Sequence, residues 1–260
     1  MNKLVYNYHT HTSRCGHATG EDEEYVQEAI KLGIKRLGFS DHIMLPGYSQ
    51  PGIRGDYCEM EGYLNSIHSL KEKYKDQIEI LVGFEAEYYE EFVDYYKELL
   101  DNQIIDYLVL GQHNTGKEGR IINYCHKDSP IDDVIRYVDD VIKGIKTGLF
   151  KYLAHPDLYM FSQSEWTPEL EEQGRRILQK CEEYNLPIEI NIWGLRRKYW
   201  DGYHYGYPSE CFFDLIKDYN LKVVFGIDAH RPDFFDQENI AAAFDFAKRH
   251  NIKVDLDYRL

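Results

Sequence analysis

The sequence alternates between short apolar runs typical of β-strands and longer amphipathic stretches typical of helices. The strand-like runs are "KLVYNYH", "KRLGFSDH", "IEILVGFEAE", "IDYLVLGQH", "KYLAHPD", "PIEINIWG" and "KVVFGIDAH". The helical candidates are Glu21–Leu32, Met60–Tyr74, Tyr89–Asn102, Ile131–Thr147, Thr167–Tyr184, Ser209–Tyr219 and Gln237–His250. Apolar residues recur at helical spacing in several of these stretches, and Thr167-Pro168 and Pro208-Ser209 are typical helix starts.

This alternation predicts an α/β fold with a parallel sheet and right-handed crossovers. Seven strand–helix units favour a closed TIM-like (β/α)7 barrel over an open sheet. The 260 residues suit one barrel domain spanning 1–260, since such barrels run to about 250 residues. The final "LDYRL" is expected to pack against the bottom of the barrel or to form a vestigial eighth strand.

Polar side chains gather where the strand-like runs end. In chain order they are His9 and His11, Asp41 and His42, Glu85 and Glu87, Gln112 to Asn114, His155 and Asp157, and Asp228 and His230. In a parallel barrel all carboxyl ends of the strands lie on one face, where barrel enzymes build their sites. Residues two apart in a strand point the same way, so both side chains of each His-x-His or Asp-x-His pair can face one pocket.

A single histidine near a strand end is more often a hydrogen-bonded core or surface group than a ligand. His68, His126, His204 and His250 fit that interpretation, because they lie on helices or loops without a patterned carboxylate partner. The strand-end residues differ because the same end of six strands is used. Buried together without metal, they would carry a desolvation cost of several kcal/mol per ion, which metal cations remove. The pattern therefore predicts a metal centre.

Composition narrows the choice of partners. A net charge of −15 repels phosphate backbones and argues against nucleic acid, although cations in a pocket can still attract a small phosphorylated substrate. The five scattered cysteines argue against a disulfide framework and against a thiolate zinc site. No apolar run approaches the roughly 20 residues of a membrane span, and no signal pattern opens the chain, so we expect a cytoplasmic protein that does not enter membranes.

The motifs "HTHTSRCGH", "FSDH", "GFEAE", "LGQH", "AHPD" and "GIDAH" together resemble the polymerase and histidinol phosphatase (PHP) superfamily. Their order and spacing are most similar to its histidinol-phosphate phosphatase branch. The resemblance implies a distorted seven-stranded β/α barrel with three divalent metal ions at the carboxyl ends of the strands. It also implies a small phosphorylated substrate.

The resemblance also implies which residues hold each ion. The first ion would be held by His9, His11, Glu85 and Asp228. Glu85 would also bridge to the second ion, which His113 and His155 would bind. The third ion would be held by His17, His42 and His230. Asp41 would act in catalysis by orienting a neighbouring imidazole. Glu87 becomes a surface group or a support for a ligand. Histidine and carboxylate ligands without thiolates suit zinc, manganese or iron.

The expected reaction is hydrolysis of a phosphate monoester, L-histidinol phosphate, in histidine synthesis, by a hydroxide shared between metal ions. In the resembled branch a Gly-Leu-Arg-Lys segment supplies a phosphate-binding arginine. Arg196 occupies that position, and Arg197 is a second substrate-binding candidate. A guanidinium fork suits phosphate, whereas the alternative for this segment is a solvated basic loop.

The substrate and the function each have an alternative. The run "HPDLYMFSQ" lacks the basic residue that the branch often has there, and Arg54 or Lys117 would have to supply it from another loop. Another small phosphomonoester or a phosphodiester is therefore an alternative substrate. A barrel that binds metal only for stability or regulation is a third interpretation, which the presence of all nine expected ligands disfavours.

Overall fold

The computed structural model describes residues 3–115, 122–123, 129–200 and 206–260; for residues 115, 122–123, 162 and 197–200 it describes only the backbone. The helices are α1 (Asp22–Leu32), α2 (Met60–Lys73), α3 (Val93–Asp101), α4 (Ile131–Thr147), α5 (Pro168–Glu183), α6 (Ile192–Trp200), α7 (Glu210–Asp214) and α8 (Gln237–Arg249). Every predicted helix is present. Two are shorter as α-helices, because a 3-10 turn over Glu90–Phe92 precedes α3 and another over Leu215–Asp218 follows α7.

The helix starts follow the predicted capping chemistry. The Thr167 side chain accepts a hydrogen bond from the Leu170 N–H, with Pro168 in the first turn of α5. The Ser209 side chain accepts from the Phe212 N–H at the start of α7. These two caps fix where the chain turns from loop into helix.

The strands are β1 (Tyr6–Asn7), β2 (Arg36–His42), β3 (Glu79–Ala86), β4 (Tyr107–Leu110), β5 (Asn114–Thr115), β6 (Ile122–Asn123), β7 (Ile188–Asn191) and β8 (Val223–Gly226). Strands β1 to β4 pair in sequence order and in parallel, β7 pairs with β8 in parallel, and β5–β6 is an antiparallel hairpin. Parallel bridges from Leu153 reach Leu110 and Ile188, and Thr10 bridges Ala229. The result is a curled parallel sheet with helices outside it, which confirms the predicted α/β class.

Two strand predictions are too long. The run "KYLAHPD" contributes only the bridges of Leu153 to the sheet. The run "PIEINIWG" leaves the sheet after Asn191, because α6 begins at Ile192. The Asn191 side chain accepts a hydrogen bond from the Gly194 N–H at 2.8 Å, which is the contact of a helix-capping residue. This side chain ends the strand and starts the helix.

Tyrosines fill the end of the sheet where the strands begin. The rings of Tyr6 and Tyr8 stack at 5.2 Å, and Tyr258 packs edge-on against both. The Tyr6 hydroxyl donates to the Asp255 carbonyl at 2.7 Å, and Val254 forms a parallel bridge with Val223 at the start of β8. The prediction that the C-terminal tail packs against this end of the sheet is confirmed. Within the described ranges, no helix is long and apolar enough to cross a bilayer.

Candidate metal centre

Strand register sets the first part of the site. His42 is the last residue of β2 and lies opposite Glu85 in β3. His9 and His11 follow β1, and the backbone there pairs with the segment after β8: the His11 N–H donates to the Ala229 carbonyl, and the Ala229 N–H to the His9 carbonyl. This pairing places the segment that carries Asp228 and His230 beside the first two histidines.

Glu85 lies at the centre of the cluster, and its side chain is 1 % exposed. Its carboxylate oxygens lie within 3.6 Å of five imidazoles from four parts of the chain. The distances are 3.5 Å to His9 Nε2, 3.5 Å to His11 Nε2, 3.2 Å to His42 Nδ1, 3.6 Å to His113 Nε2 and 2.7 Å to His155 Nε2. A carboxylate in this position can contact more than one cation at once.

Asp228 forms the second anionic point of the cluster. Its Oδ1 lies 3.1 Å from His11 Nε2, 3.5 Å from His9 Nε2 and 3.4 Å from His230 Nδ1. His17 completes the outer side, with its Nε2 3.0 Å from the Nε2 of His230. All nine residues predicted as ligands therefore lie in one neighbourhood.

Several sets of three side chains place one donor atom each within 4.8 Å of one another. The sets are His9, His11 and Asp228; His9, Glu85 and His155; His11, His42 and Glu85; His17, His42 and His230; and His11, Cys15 and His230. The set predicted for the third ion is among them unchanged. His113 belongs to none of these sets, but its Nε2 lies 3.6 Å from Glu85 and its ring packs against those of His42 and His155. The Cys15 thiol is a poor ligand, since burial raises its pKa to about 12.

Unpartnered polar atoms show that these residues suit metal ions. Buried side-chain atoms without a hydrogen-bond partner include His9 Nε2, both ring nitrogens of His11, His42 Nδ1, His155 Nδ1 and Asp228 Oδ1. Buried polar atoms are nearly always hydrogen-bonded, so several unpartnered nitrogen and oxygen atoms in one cluster need an explanation. Imidazole nitrogens and carboxylate oxygens are the donors that zinc, manganese and iron accept.

The electrostatics of the inner histidines favour positive charge. Burial acts to lower the pKa of His9, but Asp228, Glu189 and Glu85 outweigh it and hold that pKa well above its ordinary value. The same competition raises the pKa of His11 to about 9, because the nearby Asp228 and Asp41 carboxylates outweigh its burial. In the absence of metal ions, His9 and His11 take up protons because the neighbouring carboxylates favour positive charge. The same carboxylates would stabilise a bound metal cation.

The outer histidines respond in the opposite direction. Burial and the charge on His11 hold the pKa of His42 well below its ordinary value and lower that of His230 to about 3. The pKa of His17 is lowered too, again first by burial and then by His11. These rings are neutral near pH 7, the form in which imidazole binds metal.

Two of the candidate ligands have an uncommon backbone conformation. His155 has φ 28° and Asp228 has φ 55°, both in the left-handed region that residues with a side chain rarely adopt. Such conformations persist where surrounding contacts enforce them, and they occur often at functional sites. Here they turn the chain out of its strand direction and aim the two side chains at the cluster.

Arg196, the first predicted phosphate-binding residue, lies outside the cluster. The Arg196 guanidinium lies over the Phe234 ring, 4.6 Å from its centroid, and Arg196 does not line the central cavity. The side chain of Arg197 lies outside the described residues, as does Lys117. Arg54, the other suggested compensating base, is buried and hydrogen-bonded to Glu87 at 2.8 Å.

The structure decides between the two roles suggested for Glu87 and corrects one other expectation. Glu87 is fully buried and lies 3.3 Å from His113 Nδ1, so it supports a candidate ligand and is not a surface group. His250 does have carboxylate partners, because its ring bonds Glu210 at 2.5 Å and Asp214 at 2.8 Å. His126 and His204 lie outside the described residues.

Sequence reasoning missed Glu189 and Asn191, which β7 holds beside the cluster. Both are buried, and Glu189 Oε1 accepts from His9 Nδ1 at 2.8 Å. One signal was available: a glutamate between two isoleucines in "PIEIN", where an apolar strand would otherwise be uninterrupted. A charge in such a strand is rarely tolerated without a partner.

A cavity of about 380 Å³ opens above the cluster. Beside candidate ligands, its walls contain Gly52, Ile53, Asn114, Trp193 and Tyr207. Trp193 belongs to α6, so the helix that sequence reasoning had interpreted as strand and loop supplies part of the wall. The cavity is large enough for a small organic phosphate beside the cluster.

Comparison with known proteins agrees with this geometry. A histidinol-phosphatase of Bacillus subtilis (strain 168) is 26% identical over 254 residues, covering 86% of this chain and 92% of that protein. A probable histidinol-phosphatase of Deinococcus radiodurans is 24% identical over 231 residues, covering 86% and 85%. The histidinol phosphate phosphatase of Lactococcus lactis subsp. lactis, solved with zinc, L-histidinol and phosphate, has a TM-score of 0.75 at 17% identity over 97% of this chain and 96% of that one.

The model of the PHP domain family matches residues 7–192, which is more than half of the chain. The matched region contains seven of the nine candidate ligands, all except Asp228 and His230. The resemblance inferred from the motifs is confirmed. The chain belongs to the PHP domain family.

Proposed function

We propose that the protein is a metal-dependent phosphomonoesterase that hydrolyses L-histidinol phosphate to L-histidinol and phosphate in histidine synthesis. The observation that carries this proposal is the convergence of seven imidazoles, Glu85 and Asp228 on one cluster below a cavity, with a buried inner part and an exposed His17 at its outer side. The names of the Bacillus and Deinococcus relatives, and the ligands bound in the Lactococcus structure, support the choice of substrate.

The nine predicted residues are proposed as ligands of three divalent ions of zinc, manganese or iron. They are His9, His11, His17, His42, Glu85, His113, His155, Asp228 and His230. When bound, such ions acidify water and neutralise charge on phosphoryl oxygens. Glu85, within 3.6 Å of five imidazoles, is the residue best placed to contact two of the ions.

Other side chains of this chain would orient the site. Asp41 Oδ1 lies 3.4 Å from His11 Nδ1, and the Thr12 hydroxyl and the His42 N–H both donate to the same carboxylate. We assign Asp41 the task of fixing the orientation of the His11 ring. A carboxylate held by two other donors cannot rotate freely, so it restricts the ring beside it.

Arg196 is proposed to bind the phosphate of the substrate from the rim. It lies on α6 one turn beyond Trp193, which lines the cavity, and the Phe234 ring supports its guanidinium. Arg197, whose side chain is outside the described residues, is a second candidate for the same task. A guanidinium contributes two parallel donors to a phosphate.

The finer architecture belongs to this proposal. We infer that the curled sheet closes as a distorted (β/α)7 barrel in one domain over residues 1–260, with the site at the carboxyl ends of its strands. The bridges of Leu153 to its two neighbours, and the pairing of Thr10 with Ala229, support closure. A cytoplasmic location is proposed from the sequence alone.

One observation favours a second candidate substrate. The loop after His155, where the resembled branch often has a basic residue, carries Leu158, Tyr159 and Met160, all buried. None of these three side chains offers a cation to the substrate phosphate. Another small phosphomonoester is therefore the alternative substrate for the same centre.

The test is a phosphatase assay with metal quantified in the same sample. Turnover of L-histidinol phosphate should exceed that of p-nitrophenyl phosphate and of a phosphodiester, and a chelator should abolish it. The His155→Asn variant should lose about 100-fold or more activity, whereas His68→Asn, on the exposed face of α2, should retain it. A metal-loaded protein inert toward every phosphoester would contradict the proposal, and faster turnover of another phosphomonoester would replace the substrate.

A further inference from the structure

Strand β7 supplies none of the nine candidate ligands, yet its polar side chains contact three of them. Glu189 and Asn191 are two residues apart, so they project from the same face of β7. Both are almost completely buried, at 0% and 1% exposed. A buried carboxylate destabilises the folded protein unless hydrogen-bond donors satisfy it, so the partners of Glu189 matter.

Each oxygen of Glu189 holds a different ligand. Oε1 accepts from the Nδ1 of His9 at 2.8 Å, and Oε2 accepts from the backbone N–H of His155 at 3.1 Å. An ionised carboxylate only accepts hydrogen bonds, so the Nδ1 of His9 carries the proton and its unpartnered Nε2 faces Glu85 and Asp228. The hydrogen bond from the His155 N–H holds the backbone of His155 in its uncommon conformation, with φ 28°.

Asn191 extends the same network to a third ligand. Its Nδ2 donates to Glu189 Oε2 at 2.8 Å and to Asp228 Oδ2 at 3.0 Å. The other oxygen of Asp228 remains without a hydrogen-bond partner and faces the histidines. One amide therefore fixes the rotation of the Asp228 carboxylate and leaves one oxygen available.

Packing against β8 limits where the Glu189 carboxylate can lie. A Cβ atom added to Gly226 would overlap this carboxylate, so the absence of a side chain there provides its space. Glu87, another buried carboxylate beside a candidate ligand, is balanced by the guanidinium of Arg54. The hydrogen-bond donors to Glu189 in the described part of the chain include no lysine or arginine side chain, so its charge adds to the anionic field of the centre.

We propose that Glu189 and Asn191 are positioning residues that orient His9, His155 and Asp228 for metal binding. The proposal rests on the proposed metal-dependent function of the same site. Partners of this kind fix the tautomer and orientation of a ligand, and their loss typically lowers metal affinity by about 10- to 100-fold. The two residues act through the ligands and contact neither the substrate nor the ions.

The variant Glu189→Gln tests the proposal with little change in shape. Glutamine has one acceptor and one donor group, so either His9 Nδ1–H or the His155 N–H would face another donor. Metal affinity, measured by titration of the metal-free protein with Zn²⁺, should fall about 10- to 100-fold. The rise in Tm on adding Zn²⁺ should shrink, and kcat should fall more than KM changes. Glu79→Gln, an exposed position at the start of β3, is the matched control and should behave as wild type.

The readouts separate positioning from a merely structural role. A structural role would lower the Tm of the metal-free protein and leave Zn²⁺ affinity unchanged, and that result would overturn the proposal. The titration involves no substrate. If wild type hydrolysed no phosphoester while Glu189→Gln lost Zn²⁺, the proposed function would fail and the positioning role would stand.

A measurement on wild type covers the case in which Glu189→Gln does not fold. In the zinc-loaded protein, nitrogen NMR of the histidine rings should find the His9 proton on Nδ1, slowly exchanging with water, and no proton on Nε2. A proton on Nε2 of His9 would refute the inferred orientation.

Discussion

At the scale of single residues, the cluster depends on where one carboxylate can be placed. Glu85 is buried and surrounded by imidazoles, and Gly111 lies directly against its side chain. A Cβ atom at Gly111 would overlap the carboxylate of Glu85, so the position has to be glycine for reasons of space. The glycine in "LGQH" is therefore part of the construction of the site.

We predict that Gly111→Ala moves Glu85 and lowers phosphatase activity and metal content together. The loss of activity should be about 10-fold or more, because small displacements of positioned groups cost that much. Gly62→Ala is the control: that glycine is exposed within α2 and has no atom near its missing Cβ. It should keep full activity and gain up to about 1 kcal/mol in unfolding free energy. Wild-type metal content in Gly111→Ala would contradict the prediction.

The pair of Arg54 and Glu87 gives a second prediction at this scale. Both side chains are buried, and the guanidinium also donates to the Ile43 carbonyl at 2.8 Å and to Gln50. Arg54→Met should lower the unfolding free energy by about 3–5 kcal/mol, because it leaves a buried carboxylate without its cation. Denaturant unfolding of the metal-free protein measures this loss.

The double variant Arg54→Met with Glu87→Met should recover a large part of that loss, since neither charge then remains buried alone. Lys97→Met is the control, because its ion pair with Asp94 is exposed and should contribute at most about 1 kcal/mol. Equal losses in Arg54→Met and Lys97→Met would show that the buried pair is energetically unimportant.

The candidate ligands could be predicted from sequence because they lie in local motifs at or shortly after the ends of strands. Their supporting residues could not. Glu189 and Arg54 have partners far away in the chain, and only the register of the strands and the path of the loops decide which residues they meet. A buried charge in an apolar run indicates that a partner exists, without identifying it.

At the scale of elements, the helices were predicted well because their signals are local. Apolar spacing and capping residues define α4 and α5 within a few residues. Helix α6 was missed because "PIEINIWG" continues in apolar residues past the true end of β7. What ends the strand is a side chain that caps the helix, and Asn191 performs this role only in its folded position.

A stability prediction belongs to α5. Thr167→Ala should lower the unfolding free energy by about 1 kcal/mol, because the Leu170 N–H loses its acceptor at the first turn. Thr167→Ser should retain most of the stability, since serine also caps helices. Thermal unfolding of the three proteins measures the difference, and activity should be equal in all of them. An Ala variant as stable as wild type would show that the cap contributes nothing.

At the scale of the whole molecule, the curled parallel sheet turns distant motifs into neighbours. The predicted sheet brought the strand ends together on one face, and the structure places the seven candidate imidazoles around Glu85 and Asp228. The positive φ angles of His155 and Asp228 could not be predicted from the alternation of residues along the strands. They arise from tertiary contacts, because neither residue prefers that conformation.

The electrostatics are also a property of the whole fold. The chain is acidic, with a net charge of −15, yet its centre combines buried carboxylates with seven histidines. Of these histidines, the outer three have pKa values held low and are neutral, which is the form in which imidazole can bind metal. The pKa values of His9 and His11 are raised by the neighbouring carboxylates. Cations at this point satisfy both groups at once.

The most direct test of the account is anomalous X-ray scattering from crystals of the metal-loaded protein. The account predicts three metal peaks within about 2.0–2.3 Å of nitrogen and oxygen atoms of the nine candidate ligands, with Glu85 between two of the peaks. Metal ions bound by other residues would contradict the account. It would also be contradicted if His9, His155 and Asp228 contacted only one another, and no metal ion, in a fully loaded sample.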